Sequence, residues 1–264
     1  MRGCQAMNKR YTVRHDKNVG TVIFILEGSK TEFQLLNKIF VDLLGYQIYE
    51  LRRIKAQGFE LRGSNPYSRI VALNLKSNFL FGINQNELDQ LFVLIAEELK
   101  IKPEDVPIYY LYDRDVKSYE IDEVRTYVER YQDPYGTVEG DQGQLLLSYP
   151  SIESYMVSCF QEDAFTLEYE LGKALKQDAA QNGHTIQMIK TDSHIIHAAD
   201  EMNRAIAHHR IDEYDLDRLG EVLLSLYDQQ QNEYLEKNTF RLLSTLSFAL
   251  LELGIIEETD GSGE

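Results

Sequence analysis

Two apolar runs that each end in acidic residues constrain this chain most strongly. Thr21–Leu26 leads into Glu27, and Pro107–Tyr112 leads into Asp113. Each run has the length and the β-branched or aromatic content of a strand buried on both faces, which is typical of a parallel sheet. Ligand sites in such sheets form beyond the carboxyl ends of the strands. We therefore expect these acids to meet at one edge of one sheet.

Further acids accompany these two positions. Asp115 lies two residues after Asp113, so in an extended chain both carboxylates face the same side, about 6–7 Å apart. Arg114, between them, is expected to point the other way. Glu32 follows Glu27 across a turn into a helix, and Glu153 follows a third predicted strand. Carboxylates collected in this way predict a site for a hard divalent cation held against a phosphate. Taken one pair at a time, the same acids also fit helix N-terminal residues or a capping turn.

The order of the predicted elements indicates an α/β fold. Alternating strands and helices as far as the predicted strand Gln144–Ser148 are the pattern of parallel βαβ units. Beyond about residue 160 the pattern is largely helical, with helices predicted at Glu162–Ala180, His194–His209, Asp217–Asp228 and Glu233–Leu253. The expected organisation is an α/β domain over residues 1–160 with a basic insert at about 51–80, a helical region over 161–257 and a flexible polar tail over 258–264. The Gly-, Ser-, Asn- and Arg-rich part of the insert, from Gln57 to Phe81, is expected to be irregular or a hairpin.

Charge is distributed unevenly along the chain. A net charge of −16 counts against a nucleic-acid-binding surface that covers the whole molecule. The window from Leu51 to Lys76, however, contains six basic residues and one acid. Positive charge near a carboxylate site attracts a polyanion, although solvated surface charge is the alternative explanation. The candidate phosphate contacts are Lys30 at a predicted helix N-terminus and Arg52, Arg53, Lys55, Arg62 and Arg69 in the basic window.

Three short motifs resemble one known family. Glu27-Gly-Ser-Lys-Thr-Glu32 is similar to the Glu-Gly-x-x-Thr-Glu of RloB-like and related Toprim (topoisomerase–primase) nucleases of bacterial defence loci. Asp113-Arg-Asp115 resembles the Asp-x-Asp that ends a later strand in that family. Tyr149-Pro-Ser-Ile-Glu153 is similar to its Asn-Pro-x-x-Glu, with Tyr149 in place of the asparagine. The resemblance covers roughly residues 20–160 and implies a Toprim-like, Rossmann-like, mostly parallel sheet flanked by helices.

The resemblance also implies an activity. Glu27, Asp113 and Asp115 would be the catalytic residues and would bind Mg²⁺ or Mn²⁺, with Glu27 also acting as general acid or base. Glu32 and Glu153 would complete or support a second metal site. Such a protein hydrolyses phosphodiester bonds in RNA, such as tRNA, or in DNA, as an effector in antiviral defence. Because the chain has no recognisable P-loop, a separate ATPase would be its controlling partner.

Other classes of function stay open at this point. One is a non-catalytic Toprim-fold module that binds or regulates within a complex with an ATPase; another is a primase-like nucleotidyl transferase. His194, His197 and Glu201 share one face of a predicted helix, a spacing that a transition metal can use. Without a cysteine pair or a His-Glu-x-x-His motif, structural roles are the preferred reading of these three residues.

The remaining patterns concern assembly and compartment. The segment Phe240–Leu251 is apolar over most of a helical circumference, which predicts burial in the core or in a homodimer or larger oligomer. No apolar stretch approaches the roughly 20 residues that span a bilayer, and the N-terminus lacks the apolar centre of a secretory signal. The two cysteines, Cys4 and Cys159, lie far apart, so reduced thiols and a cytoplasmic location without a membrane are expected.

Overall fold

The computed structural model describes residues 10–28, 30–51, 57–74, 85–114, 121–136, 141–211 and 214–259. Its central element is an eight-stranded mixed sheet flanked by helices, so the expected α/β class is confirmed. The strands are β1 (Arg10–Val13), β2 (Thr21–Leu26), β3 (Gln47–Glu50), β4 (Gln57–Arg62), β5 (Arg69–Asn74), β6 (Ile108–Asp113), β7 (Gln132–Asp133), β8 (Gly143–Tyr149), β9 (Glu168–Tyr169), β10 (Phe240–Arg241), β11 (Leu243–Ser244) and β12 (Ile256–Thr259). The helices are α1 (Thr31–Asn37, continued by a π-helical segment at Lys38–Leu43), α2 (Gln85–Leu99), α3 (Ile121–Arg130), α4 (Glu153–Ser158), α5 (Gly172–Gln181), α6 (Asp192–His208), α7 (Leu219–Lys237) and α8 (Leu246–Glu252).

Four parallel strands form the middle of the sheet. The order across the sheet is β11-β8-β6-β2-β5-β4-β3, with β7 paired to one end of β8. Strands β8, β6, β2 and β5 run parallel, and the outer strands run antiparallel to their neighbours. Residues 22–26 of β2 and 108–112 of β6 are buried, as expected for strands covered by helices on both faces. The carboxyl ends of these four strands therefore lie side by side at one edge.

The basic stretch predicted as an insert is part of this sheet. β5 pairs in parallel with β2, and its residues Ile70–Leu73 are buried. β4 pairs antiparallel with β5 over its whole length. Of the two forms expected for this stretch, an irregular insert or a hairpin, residues 57–74 form the hairpin β4–β5, and the apolar run of β5 fills a central position in the sheet.

The C-terminal part contains short strands in addition to its helices. The predicted continuous helix Glu233–Leu253 is wrong, because α7 ends at Lys237 and Asn238 adopts a left-handed backbone conformation with φ of 59°. β10 and β11 follow before α8 begins. β11 pairs antiparallel with β8, with Leu243 opposite Tyr149, so this segment completes the edge of the central sheet.

The first and last strands of the described chain pair with each other. β12 pairs antiparallel with β1, so the first two residues of the predicted flexible tail, Glu258 and Thr259, lie in a strand. Residues 260–264 lie outside the described part of the chain. Buried side chains from before and after residue 160 belong to one hydrophobic core. The segments before and after residue 160 therefore share a hydrophobic core.

The apolar segment Phe240–Leu251 lies in this core. Residues 246–251 of α8 are buried within a single copy of the chain, which accounts for their composition. The homodimer or larger oligomer stays a prediction that this segment does not require. In the described ranges, no helix combines the length and apolar character needed to cross a membrane.

Candidate carboxylate site

Four of the predicted acids lie at the carboxyl edge of the parallel strands. Glu27 directly follows β2, and Asp113 is the last residue of β6, the neighbouring strand. Glu153 opens α4 four residues beyond the end of β8, and Glu32 lies in the first turn of α1. The convergence predicted for acids that follow parallel strands is present for Glu27, Asp113 and Glu153, because β2, β6 and β8 are adjacent and parallel. Glu32 joins them from the first turn of α1.

Hydrogen bonds connect the acids across neighbouring strands. The backbone N–H of Asp113 donates to Glu27 Oε2 at 2.7 Å. The backbone N–H of Ile152, in the segment after β8, donates to Asp113 Oδ1 at 2.7 Å. Glu27 is therefore held by a backbone donor of the neighbouring strand β6, and Asp113 by a backbone donor of the segment that follows β8. Hydrogen bonds to an ionised carboxylate are stronger than those between neutral groups, so this arrangement orients both side chains.

Glu32 occupies the space that Gly28 leaves open. Its side chain is buried, with 6% exposure, and Oε1 accepts a 3.0 Å hydrogen bond from the Gly28 N–H. A Cβ atom added at Gly28 would overlap the two carboxylate oxygens of Glu32. The glycine of the Glu-Gly pair therefore permits the buried carboxylate to close over the turn that follows Glu27.

Glu153 contacts a serine and a lysine. Ser151 Oγ donates to Glu153 Oε2 at 2.8 Å, and Lys176 Nζ lies 3.2 Å from Glu153 Oε1. Lys176 belongs to α5, in the C-terminal part, and 66% of its side chain is exposed, whereas Glu153 is buried. A solvent-accessible ammonium therefore stands beside the buried acids.

The electrostatics of the site show that its acids repel one another. The pKa of Asp113 is raised well above its ordinary value, first by burial and then by the charges of Glu27, Glu32 and Glu153. The pKa of Glu32 is also raised, with burial again the largest cause, while Lys176 acts in the opposite direction. Uncompensated negative charge of this kind is relieved by a proton or by a cation.

The fit to a metal ion rests on these oxygens. Clustered, partly buried carboxylates are the donors that Mg²⁺ and Mn²⁺ prefer. Over the described residues, however, no group of three or more His, Cys, Asp or Glu side chains stands in a metal-ligand arrangement. Asp115, the remaining predicted ligand, lies outside the described residues. The structure thus brings together carboxylate oxygens of the kind that bind a metal ion. These oxygens accept hydrogen bonds from other groups of the protein.

Only some of the predicted basic residues are near this edge. Lys30 is exposed and immediately precedes α1, close in sequence to Glu27 and Glu32. Arg52, Arg53 and Lys55 lie outside the described residues. The flanking residues Leu51 and Gln57 are located, and both lie at the carboxylate edge, because Gln57 is opposite Asn74 and Asn74 is level with Leu26. The connection that carries these three basic residues therefore begins and ends at this edge.

Arg62 and Arg69 lie at the opposite edge of the sheet. Arg69 opens the six-residue strand β5 and is level with Thr21, the start of β2. At about 3.3 Å per residue, this places the two arginines about 17 Å along the strands from the acids. Both donate to Glu60 Oε1, at 2.7 and 2.8 Å. Arg62 and Arg69 therefore lie away from the four acids, because β4 carries the chain from the carboxylate edge to the opposite edge of the sheet.

The side chain of Arg114 is turned away from the acids, as expected for the residue after Asp113. It is buried, with Nε donating to Gln231 Oε1 at 3.0 Å. Its guanidinium lies 5.7 and 5.8 Å from the ring centroids of Tyr227 and Phe240. Arg114 therefore joins the end of β6 to the C-terminal part of the chain.

The histidine-containing alternative site is not assembled. His194 Nδ1 hydrogen-bonds with Thr191 at the N-terminus of α6, and His197 Nδ1 lies 2.7 Å from the Ser158 carbonyl oxygen. Glu201 accepts hydrogen bonds from the backbone N–H groups of residues 163 and 164. These partners give each side chain a structural role, as the sequence favoured.

Three residues of the site were not singled out from the sequence: Asn74, Ser151 and Lys176. Asn74 ends the apolar run of β5 in the same way that Glu27 follows that of β2, so the same signal could have identified it. Ser151 lies inside the motif that contains Glu153. Lys176 has no local signal, because only the packing of α5 against α4 brings it to the acids.

In comparisons with known proteins, no family model, no curated protein and no solved structure matches this chain. A functional assignment therefore depends on the residues and their geometry.

Proposed function

We propose that this chain is a metal-dependent nuclease of the Toprim type, which hydrolyses phosphodiester bonds in RNA or DNA. The observation that carries the proposal is the convergence of Glu27, Glu32, Asp113 and Glu153 at the carboxyl edge of adjacent parallel strands. The same four acids belong to the sequence motifs that resemble those of the Toprim family. The role as an antiviral effector, with a separate ATPase as partner, rests on that resemblance alone.

The residues of this edge suit Mg²⁺ or Mn²⁺. Glu27, Asp113 and Asp115 would hold the ion, and Glu32 and Glu153 would complete or support a second position. When bound, such ions neutralise charge on the attacking and leaving oxygens of an in-line displacement at phosphorus. The protein itself orients Glu27 and Asp113 through the hydrogen bonds to the Asp113 and Ile152 N–H groups.

Basic side chains beside the acids favour a phosphodiester substrate. The exposed ammonium of Lys176 lies next to Glu153, and Lys30 is exposed at the start of α1. The connection that contains Arg52, Arg53 and Lys55 begins and ends at the same edge. Positive charge at this edge attracts the backbone of a nucleic acid, while the overall negative charge of the chain limits binding elsewhere.

The test is a cleavage assay on the full chain. Wild-type protein, Glu27→Gln and the control Glu236→Gln are incubated with total tRNA, single-stranded DNA and duplex DNA, with Mg²⁺, with Mn²⁺ or with a chelator. Glu236 is exposed on α7 and matches the charge change at a remote position. We expect metal-dependent cleavage that Glu27→Gln reduces by about 100-fold or more, the range seen when a catalytic group is removed, and that Glu236→Gln leaves unchanged.

Other outcomes point to the other classes of function. Metal binding without cleavage of any substrate would favour a binding or regulatory module in a complex with an ATPase. Incorporation of labelled nucleotides on a single-stranded template would favour a primase-like nucleotidyl transferase. Cleavage that Glu27→Gln leaves intact would contradict the proposed site.

A further inference from the structure

Asn74 holds the backbone of Glu27 from the neighbouring strand. It is the last residue of β5 and is buried, with 2% exposure. Its single side-chain nitrogen, Nδ2, donates to two carbonyl oxygens, that of Leu26 at 3.0 Å and that of Glu27 at 2.7 Å. An amide NH₂ group has two hydrogens, so both are used on this one turn.

Glu27 is thereby fixed from both sides of β2. On one side, its N–H donates to the Leu111 carbonyl oxygen of β6 at 3.1 Å. On the other side, its carbonyl oxygen accepts from Asn74 of β5. With the peptide groups on both sides of its Cα held, the direction of the Cα–Cβ bond of Glu27 is set by the sheet.

The side chain of Glu27 continues this set of contacts. Its Oε2 accepts from the Asp113 N–H, and Asp113 Oδ1 accepts from the Ile152 N–H. From Asn74 to Ile152, the hydrogen bonds therefore pass across β5, β2, β6 and the segment after β8, in the order of the strands. A change at Asn74 acts on the acids through the backbone of Glu27.

We propose that Asn74 is a positioning residue, which orients the carboxylate of Glu27 toward a divalent cation. The cation part of this proposal rests on the function proposed above; the orientation of Glu27 does not. Polar groups that hold metal ligands in place typically change metal affinity by about 10- to 100-fold when they are removed. An apolar residue of similar size leaves the carbonyl oxygens of residues 26 and 27 without these two donors.

The experiment compares Asn74→Leu with a matched loss of a buried amide elsewhere. Gln230 on α7 is fully buried, and its side-chain amide exchanges two 3.1 Å hydrogen bonds with the backbone of Arg241. Gln230→Met is therefore a control that removes two buried hydrogen bonds away from the acids. Circular dichroism and thermal unfolding first establish that both variants are folded at the working temperature.

Two readouts are then taken on the full chain. The first is the hydrogen-exchange rate of the Asp113 amide in metal-free protein, because this N–H is bonded to Glu27 Oε2. The second is the dissociation constant for Mn²⁺ alone. We expect Asn74→Leu to accelerate exchange at Asp113 by about tenfold or more and to weaken Mn²⁺ binding by about tenfold or more. Gln230→Met is expected to change neither.

The outcomes separate this proposal from the proposed function. Exchange at Asp113 that matches the wild type in Asn74→Leu would overturn the positioning role. Faster exchange at Asp113 in Gln230→Met, equal to that in Asn74→Leu, would also overturn it, because the effect would then be general loss of stability. Faster exchange confined to Asn74→Leu, in a wild-type protein that binds no Mn²⁺, would support the orientation of Glu27 by Asn74 and count against the metal site.

Discussion

At the scale of single residues, the close approach of the acids disfavours the ionised form of Asp113. Its pKa is raised by burial and by three neighbouring carboxylates, so the folded metal-free protein holds a proton there more tightly than the unfolded chain does. The ionised form of Asp113 therefore destabilises the fold, and this cost grows as pH rises from the ordinary aspartate range toward the raised pKa.

Replacement of Asp113 by Asn removes this cost. We expect Asp113→Asn, in the presence of a chelator, to raise the unfolding temperature relative to wild type at pH 8. The difference should shrink as pH falls below about 4, where aspartate is protonated in both states. Thermal unfolding from pH 4 to pH 8 measures this, with Asp105→Asn on an exposed turn as the control. A lower unfolding temperature for Asp113→Asn at pH 8 would contradict the assigned repulsion.

Individual acids were predictable because strand patterns and sheet rules act together. An apolar run followed by an acid predicts the residue at the end of a parallel strand, and Glu27 and Asp113 lie there. The polar partners of these acids were harder to predict from the sequence, because Lys176, which pairs with Glu153, belongs to a helix more than twenty positions away in sequence. Tertiary packing rather than local pattern decides such contacts.

At the scale of elements, the approach of α5 to the acids depends on Gly172. This residue opens α5, and a Cβ atom added there would lie 2.8 Å from Ser151 Cβ. Ser151 in turn donates to Glu153. Lys176, one turn along α5, also pairs with Glu153. The absence of a side chain at residue 172 therefore permits the contact between the C-terminal part and the site.

Gly172→Ala tests this contact. The added methyl group must push α5 away from Ser151, and overpacking of this kind costs about 1–3 kcal/mol of unfolding free energy. Urea unfolding measures the change, with Lys173→Ala at the next, exposed position of the same helix as the control. Equal stability of Gly172→Ala and Lys173→Ala would show that α5 is not held closely against Ser151.

Elements were predicted well where periodicity was clear and poorly where apolar residues were continuous. The segment Glu233–Leu253 reads as one helix, because an apolar run does not distinguish a buried helix from buried strands. The structure divides it at Asn238, where a left-handed residue ends α7 and β11 then joins β8. Pairing with the central sheet, which involves residues about 95 positions away, overrides the local helical pattern.

At the scale of the whole molecule, basic residues that are close in sequence need not lie at the same edge of the sheet. The net charge is −16, yet the connection between Leu51 and Gln57 contains Arg52, Arg53 and Lys55. Nearness in sequence suggested that Arg62 and Arg69 belong with them. The run of β4 across the sheet instead brings those two arginines to the far edge, where both pair with Glu60. A charge window read along the chain cannot show such a reversal.

This separation predicts two different salt dependences of nucleic-acid binding. Replacing Arg52, Arg53 and Lys55 together by Gln should reduce the slope of log affinity against log salt by about 2 to 3, because each phosphate contact contributes about 0.7–0.9. Arg62→Gln should leave the slope unchanged, because Arg62 lies at the far edge of the sheet and pairs with Glu60. Fluorescence anisotropy across a salt series measures both. An equal decrease of the slope in both variants would contradict the assignment of the two edges.

A calorimetric titration of Mn²⁺ into metal-free protein tests the central claim that the carboxyl edge of the parallel strands binds a divalent cation. Wild type and Glu236→Gln are predicted to bind Mn²⁺ equally. Glu27→Gln is predicted to bind about tenfold or more weakly, because one charged oxygen donor is lost. Equal Mn²⁺ affinity of wild type and Glu27→Gln, or no binding by the wild type at millimolar Mn²⁺, would contradict the account.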